Sequence, residues 1–352
     1  MRSTKAMFGF ALLCAALGMT GCGSFSGTRH ESPWAQEYNY LKGQRLEPEE
    51  IGIITSNVGP YTLVFTSAGV AGDERTTVPL SLRGGAIMTP VVVNGTKEVP
   101  AVIDTGAPFN LVSLTLAYNL NLPVTRPKSL PQVIGGYGGA STECGWSLLK
   151  SVKMGGSTYT NSLVSIPLEK FEQVTFFGFL TMNRDEFIIF GLNDLMKLSY
   201  ATFDFQRKQF VMAQRAEFQP GDGTNRIEVP IRIQPGPVLG CEVRVEGKGP
   251  FPCRLDTGKT FNAPALTIPQ KLAEELGYWE RDGARRTSQV GIGGKFESQR
   301  FRLKNFEIGG RSFSNLPADT HEGAGELILG ASFLRDYKVT LDFRTGKMHL
   351  EK

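Results

Sequence analysis

The chain has 352 residues, of which 41% are hydrophobic, 20% charged and 10% aromatic, and its formal net charge is +4. This globular composition excludes a disordered chain, a collagen-like repeat and a disulfide-stapled miniprotein. The 41 glycines and 20 prolines favour short strands and turns over helices. The three histidines are scattered without a metal-binding spacing, so we predict no metal and no cofactor, and we expect any chemistry to depend on carboxylates.

The first segment has the pattern of an export signal. Arg2 and Lys5 precede an apolar run, residues 8–19, that is too short to span a bilayer. The following Met19-Thr20-Gly21-Cys22 resembles a bacterial lipobox, in which the cysteine is lipidated and becomes the new N-terminus. We predict a signal peptide at 1–21 and a lipid anchor (palmitate among its chains) at Cys22. The alternative is an ordinary secretory signal that is cut elsewhere.

The anchor predicts a location in the cell envelope, at the outer membrane and facing the periplasm, because the residues after Cys22 lack the aspartate that retains enterobacterial lipoproteins at the inner membrane. Residues 22–75 are expected to form a tether and added N-terminal strands. Loss of Arg2 and Lys5 leaves a nearly neutral chain, which argues against a nucleic-acid partner. Cys241 and Cys253 flank a predicted turn and could pair, although a register slip of one residue would separate their sulfurs.

An internal duplication with a period of about 150 residues organises the remaining chain. Each half contains a predicted β-hairpin, with a turn at Asn94-Gly95 in the first and at Glu246-Gly247 in the second. Each hairpin leads into Asp-Thr-Gly, and the aspartate follows the turn glycine by nine positions in both halves. The repeated elements therefore predict two related lobes, at 76–213 and 227–352, joined by a linker at 214–226.

Further elements repeat after each aspartate. Short helices are predicted from Ser113 to Leu122 and from Pro269 to Leu276. Glycine-rich turns follow, and each half then has an apolar strand that ends in glycine, at 188–191 and 327–330. The predicted fold is therefore all-β with a few short helices.

The two aspartates, Asp104 and Asp256, are the main candidates for chemistry. Two carboxylates brought within a few ångströms share one proton, because both cannot ionise at that distance. The ionised carboxylate can then deprotonate a water molecule while the protonated one polarises a carbonyl oxygen.

At these residues the sequence resembles the aspartic peptidases, in the form of two retropepsin-like lobes fused in one chain as in pepsin. The resemblance covers about residues 76–351 and implies a bilobed double barrel. It implies that Asp104 and Asp256 form a catalytic dyad that hydrolyses peptide bonds. It further implies that Thr105 and Thr257 hydrogen-bond across the lobes, and that Gly106 and Gly258 leave room for water.

The glycine-rich turns are similar to the flaps of that family, although an ordinary loop is the alternative. The resemblance implies that Tyr137 and Gly138 in the first flap, and Ile292 and Gly293 in the second, close over the substrate. The implied partner is a peptide or protein bound as an extended strand. We expect a monomer, because fusion already supplies both lobes.

The second lobe departs from the family pattern at Lys259, where a small or hydroxyl residue is usual. A lysine turned into the site would favour two ionised carboxylates and oppose the shared proton, whereas a lysine pointing outward would have no such effect. Two hypotheses follow. The chain is an aspartic endopeptidase, or it is an inactive relative that binds peptides or envelope partners in the same cleft.

Overall fold

The structure is a computed structural model. It describes residue 47 and residues 52–58, 61–65, 68–128, 130–135, 141–168, 175–176, 180–181, 184–221, 225–234, 237–279, 285–291 and 294–352. Of the site residues predicted from the sequence, Cys22 and the four flap residues lie outside these ranges. The four flap residues are Tyr137, Gly138, Ile292 and Gly293.

Strands dominate the described residues, which confirms the all-β prediction. The first half contains β1 (Ile54–Val58), β2 (Tyr61–Phe65), β3 (Gly69–Gly72), β4 (Arg75–Pro79), β5 (Ser81–Arg83), β6 (Ala86–Val93), β7 (Lys97–Ile103), β8 (Asn110–Val112), β9 (Val133–Gly135), β10 (Ser141–Met154), β11 (Ser157–Pro167), β12 (Thr175–Phe176), β13 (Leu180–Thr181), β14 (Ile188–Phe190), β15 (Tyr200–Asp204) and β16 (Gln209–Ala213). The second half contains β17 (Ile227–Pro230), β18 (Arg232–Gln234), β19 (Val238–Val245), β20 (Lys248–Asp256), β21 (Leu266–Thr267), β22 (Arg285–Gly291), β23 (Gly294–Leu303), β24 (Phe306–Ile308), β25 (Arg311–Phe313), β26 (Leu316–His321), β27 (Leu327–Gly330), β28 (Lys338–Asp342) and β29 (Lys347–Glu351).

Four short helices lie between these strands in the described part of the chain. They are α1 (Leu114–Asn119), α2 (Leu192–Leu195), α3 (Gln270–Glu275) and α4 (Ala331–Leu334). The helices α1 and α3 fall within the predicted ranges. Ser113 caps α1, because its side-chain oxygen accepts a hydrogen bond from the Leu116 N–H. None of the helices described is long and apolar enough to cross a membrane.

Each lobe is built around one sheet with a matching strand order. In the N-terminal lobe the order is β3-β11-β8-β14-β7-β6-β10-β9, and β5 pairs with β6. In the C-terminal lobe it is β22-β23-β26-β21-β27-β20-β19-β24-β25, and β18 pairs with β19. In both lobes the second strand of the hairpin pairs in parallel with the apolar strand predicted to end in glycine, β7 with β14 and β20 with β27. This shared pairing places the end of each hairpin at the centre of its sheet.

The hairpin turns have the backbone geometry that the sequence predicts. Asn94 and Gly95 have φ values of 50° and 69°, and Glu246 and Gly247 have 48° and 75°. Positive φ at both central residues is the type I′ pattern, which follows the twist of the flanking strands. The turns therefore fix the register of the strands that lead to Asp104 and Asp256.

A third sheet joins the lobes, in the order β17-β29-β28-β15-β16-β4. The order is symmetric about its centre, since β15, β16 and β4 follow one another outward on one side as their counterparts β28, β29 and β17 do on the other. At its centre β15 pairs with β28, and the hydroxyl oxygens of Thr202 and Thr340 lie 2.8 Å apart. A pseudo-two-fold axis therefore passes between these two threonines. One apolar cluster continues from the lobes through this sheet and includes Phe203 and Leu341.

The three cysteines in the described residues are buried free thiols. Cys241 and Cys253 occupy directly opposite positions of the β19–β20 hairpin. Opposite residues of an antiparallel pair lie on the same face of the sheet, so the register slip considered from the sequence does not occur.

Candidate active site

Asp104 and Asp256 lie at the ends of equivalent strands. Asp104 directly follows β7, and its N–H donates to the Phe190 carbonyl oxygen at 3.0 Å. Asp256 is the last residue of β20 and pairs with Gly330. Both aspartates are fully buried. The central position of these strands places one carboxyl from each lobe at the interface between them.

The glycines of the two Asp-Thr-Gly sequences lie against the carboxylate of the opposite lobe. A Cβ atom on Gly106 would be 2.4 Å from Asp256 Cγ, and one on Gly258 would be 2.6 Å from Asp104 Cγ. Real Cβ atoms do not approach a carbon atom so closely. The space that each glycine leaves is therefore occupied by the opposing carboxylate.

Thr105 and Thr257 exchange hydrogen bonds between the lobes. Thr105 Oγ1 donates to the Leu255 carbonyl oxygen at 2.8 Å, and Thr257 Oγ1 donates to the Ile103 carbonyl oxygen at 2.8 Å. The N–H of each threonine donates to the hydroxyl of the other, at 3.0 and 3.1 Å. These four bonds cross the interface symmetrically and hold the two loops in register.

Each carboxylate has one oxygen held by backbone donors. Asp104 Oδ1 accepts from the N–H groups of Gly106 and Ala107, at 2.8 and 3.2 Å. Asp256 Oδ1 accepts from the Lys259 N–H at 2.9 Å. Within the described part of the chain, Oδ2 of both aspartates is buried without a hydrogen-bond partner. These two oxygens are thus the atoms available to a water molecule or a substrate carbonyl.

The two carboxyl groups differ in their electrostatic surroundings. Burial raises the pKa of Asp104 well above its usual value, and the Asp256 carboxylate raises it further. Burial also raises the pKa of Asp256, but the Arg254 guanidinium and the N–H and ammonium of Lys259 act in the opposite direction. Because the two groups interact, their protons are lost in steps that belong to the pair.

The Lys259 side chain points neither into the solvent nor at the carboxylates of Asp104 and Asp256. Its side chain is fully buried in the C-terminal lobe, where its stem lies against Gly330. Its ammonium donates to Thr267 Oγ1 and lies 3.2 Å from Asp319 Oδ1. Thr267 Oγ1 also donates to Asp319 Oδ1 at 2.7 Å. The lysine is thus part of a buried ionic network, and neither of the two orientations considered from the sequence occurs.

Arg254 is a further charged residue at the site, which the sequence reasoning missed. Its side chain is 2% exposed and lies between two carboxylates. Nη2 is 3.5 Å from Asp256 Oδ2, and Nη1 is 3.0 Å from Glu326 Oε1. A signal was available in the sequence, because residue 254 shares a strand face with Asp256 and its counterpart in the first half is Val102.

In the described ranges, no cluster of histidine, cysteine, aspartate and glutamate side chains could hold a metal ion.

Asp204 and Asp342, which also repeat between the lobes, accept hydrogen bonds in turns. Asp204 Oδ1 accepts from the Arg207 N–H, and Asp342 Oδ1 accepts from the Arg344 N–H.

The fold and the paired loops define a bilobed, pepsin-like protein. A family model described as aspartyl protease matches the chain twice, over residues 89–183 and 241–333, which together make up more than half of its length. The chain therefore belongs to the aspartyl protease family, as the resemblance implied. A solved structure of basic 7S globulin from soybean is similar to this chain at 12% sequence identity and a TM-score of 0.44, over 79% of this chain and 94% of that one. No curated protein matches the chain significantly.

Proposed function

We propose that the protein is an aspartic endopeptidase, with Asp104 and Asp256 as the catalytic dyad. The observation that carries this proposal is the close packing of each carboxylate against the glycine of the opposite loop. Two buried carboxyl groups in that arrangement favour a state with one shared proton. That state supplies a base and an acid on the same face of a substrate.

Hydrolysis then needs only the dyad and one water molecule. The ionised carboxylate takes a proton from water while the water oxygen bonds to the carbonyl carbon of the peptide. The carbonyl oxygen takes the proton of the other carboxyl, which gives a tetrahedral diol. Transfer of a proton to the amide nitrogen and cleavage of the C–N bond release an acid and an amine, and the dyad regains its single proton.

The substrate of this reaction is a peptide or protein bound as an extended strand, a mode that uses main-chain hydrogen bonds and alternate side-chain pockets. We extend the proposal to the flaps, with Tyr137 and Ile292 closing over the bound strand. We also retain the lipid anchor at Cys22, motivated by the lipobox-like sequence. A Cys22→Ser variant that still fractionates with membranes would count against that anchor.

A peptide-library digest with the purified protein, from acidic to neutral pH, tests the activity. We expect Asp104→Asn and Asp256→Asn each to lower the cleavage rate by about 10²–10⁴-fold, because each removes the acid or the base. Asp204→Asn and Asp342→Asn are matched controls, since they make the same change at buried turn aspartates, and they should retain cleavage. Unchanged cleavage in both dyad variants would reject the dyad.

The alternative is a relative that binds peptides without cleaving them. The feature that favoured it was Lys259, whose ammonium is paired with Asp319. Binding of library peptides by wild-type protein, without any product at any pH, would support this alternative.

A further inference from the structure

The two lobes differ in the residues that lie behind their aspartates. Two positions before the aspartate, the N-terminal lobe has Val102 and the C-terminal lobe has Arg254. Directly before the apolar strand that pairs with the hairpin, the first lobe has Phe187 and the second has Glu326. Val102 and Phe187 are fully buried in an apolar cluster. At equivalent positions, the N-terminal lobe therefore has an apolar pair next to Asp104, and the C-terminal lobe has an ionic pair next to Asp256.

Arg254 brings a permanent positive charge to Asp256. A guanidinium is a delocalised cation that does not lose its charge in proteins. The Arg254 side chain is buried, and Nη2 lies 3.5 Å from Asp256 Oδ2, the oxygen that has no hydrogen-bond partner among the described residues. An opposite charge at this distance favours the ionised form of a buried carboxyl. The position equivalent to Arg254 beside Asp104 is occupied by Val102, which carries no charge. Arg254 also lowers the pKa of Asp104, but for Asp256 it is the largest of the effects that lower the pKa.

The other charged groups around Asp256 come from both lobes. Asp104 faces it from the opposite loop, and Lys259 follows it in its own loop. Lys259 is neutralised by Asp319 on β26, so its field at Asp256 is weakened. Glu326 precedes β27, and burial raises its pKa; in its ionised form its negative charge opposes ionisation of Asp256. Of these charged groups, Arg254 is the one that lies beside Asp256 Oδ2.

We propose that Arg254 is a positioning residue that assigns the two roles of the dyad: it keeps Asp256 ionised as the base that takes a proton from water, and so leaves the shared proton on Asp104. This assignment rests on the proposed function, because the roles have meaning only in a dyad that activates water. Glu326 holds the other side of the guanidinium, with Oε1 3.0 Å from Nη1. Its side chain is 37% exposed, so the ionic chain Asp256–Arg254–Glu326 runs from the buried dyad to the surface.

The assignment has a definite pH signature. Asp256 must be ionised to accept the proton of water, and its ionised fraction falls as the pH falls through its pKa. Arg254 lowers that pKa, so removing the guanidinium raises it. We therefore expect Arg254→Met to move the acid limb of the kcat/KM profile to higher pH by about 1–3 units. Arg254→Lys keeps a positive charge, so its acid limb should lie close to that of the wild-type protein.

Glu326→Gln should act in the opposite direction. It removes a negative charge that repels the Asp256 carboxylate and competes for Arg254, so the acid limb should move to lower pH by less than about one unit. The matched controls are Arg232→Met and Glu242→Gln, an Arg–Glu pair 2.9 Å apart on the exposed surface of the same lobe. Neither control should move the limb.

A second readout does not need activity. The carboxyl carbons of the full-length protein, labelled with ¹³C at aspartate, are titrated by NMR in two backgrounds that remove the coupling within the dyad. Asp104→Asn leaves the titration of Asp256, and Asp256→Asn leaves that of Asp104. We expect Arg254→Met to raise the Asp256 titration by about 1–3 pH units and to shift Asp104 by clearly less.

The proposal is overturned if Arg254→Met shifts Asp104 as much as Asp256, or shifts neither. If Arg254→Met does not fold, the test is the NMR titration of Asp256 in a double variant that carries Asp104→Asn and Glu326→Gln. A titration of Asp256 that moves to lower pH supports the proposal, and one that stays or moves up overturns it. If wild-type protein cleaves no peptide, the proposed function fails, but the NMR titration still tells whether Arg254 sets the protonation of the pair.

Discussion

The two lobes hold identical Asp-Thr-Gly loops on different supports. In the N-terminal lobe, Leu111 pairs with Ile189 and Ser165. In the C-terminal lobe, Thr267 pairs in the same way with Ile328 and Asp319. The equivalent buried positions are therefore Ala107, Leu111 and Ser165 in one lobe and Lys259, Thr267 and Asp319 in the other.

This difference shows that the loop geometry does not depend on one kind of packing behind it. The same backbone hydrogen bond supports the loop in both lobes. The Leu192 N–H donates to the Ala107 carbonyl oxygen, and the Ala331 N–H donates to the Lys259 carbonyl oxygen, both at 2.8 Å. Ala107 and Lys259 are each the third residue after their aspartate. The first lobe fills the space with uncharged side chains, and the second fills it with an ion pair that is internally neutral. Either solution leaves no unpaired charge, which is the condition that burial imposes.

Removing one member of the ionic network should have the largest effect on stability. Lys259→Met or Asp319→Asn alone leaves one buried charge without its partner, and we expect each to lower the free energy of unfolding by about 3–5 kcal/mol. The double variant should cost much less than the sum, because no isolated charge remains. Urea unfolding of the four proteins measures this coupling.

A matched control is the exposed pair of Lys248 and Glu275, whose side chains are 47% and 49% exposed. Removing either charge there should change the unfolding free energy by no more than about 1 kcal/mol. Additive effects of Lys259→Met and Asp319→Asn would show that the two lobes do not differ in the way described.

The shared threonine exchange should respond equally in both lobes. Thr105→Val and Thr257→Val each remove one donor and one acceptor at a buried position, and we expect each to cost about 2–4 kcal/mol. Thr→Ser at either position keeps the hydroxyl and should retain most of the stability. Thermal and urea unfolding of the four variants gives the comparison. A large difference between Thr105→Val and Thr257→Val would break the symmetry that the four hydrogen bonds indicate.

The glycines provide the third comparison. Gly106→Ala and Gly258→Ala each introduce a methyl group against the opposite carboxylate, and the resulting shift of the loops should cost about 1–3 kcal/mol in both cases. Gly325→Ala is the control, because a Cβ there would meet only the Gly323 carbonyl oxygen, at 4.0 Å. If either dyad glycine tolerates alanine as well as Gly325 does, the contact between the loops is looser than the structure shows.

The sequence alone predicts much of the frame of this protein. The hairpin turn, the Asp-Thr-Gly loop and the apolar strand are local patterns, and each occurs twice in the same order. Local patterns suffice here because turn residues and alternating apolar residues determine register over short distances. Hence the all-β fold, the helix positions and the paired loops follow from the chain order.

The charges behind the dyad follow only from the tertiary structure. Lys259 meets Asp319, and Arg254 meets Glu326, across long stretches of chain that β26 and β27 bring back to the centre of the sheet. No local pattern identifies such partners, because parallel pairing joins strands that are distant in sequence. The sequence determined that one carboxyl from each half would meet the other. The tertiary structure decided that the Arg254 guanidinium is buried between Asp256 and Glu326, because Glu326 precedes a strand that is distant in sequence.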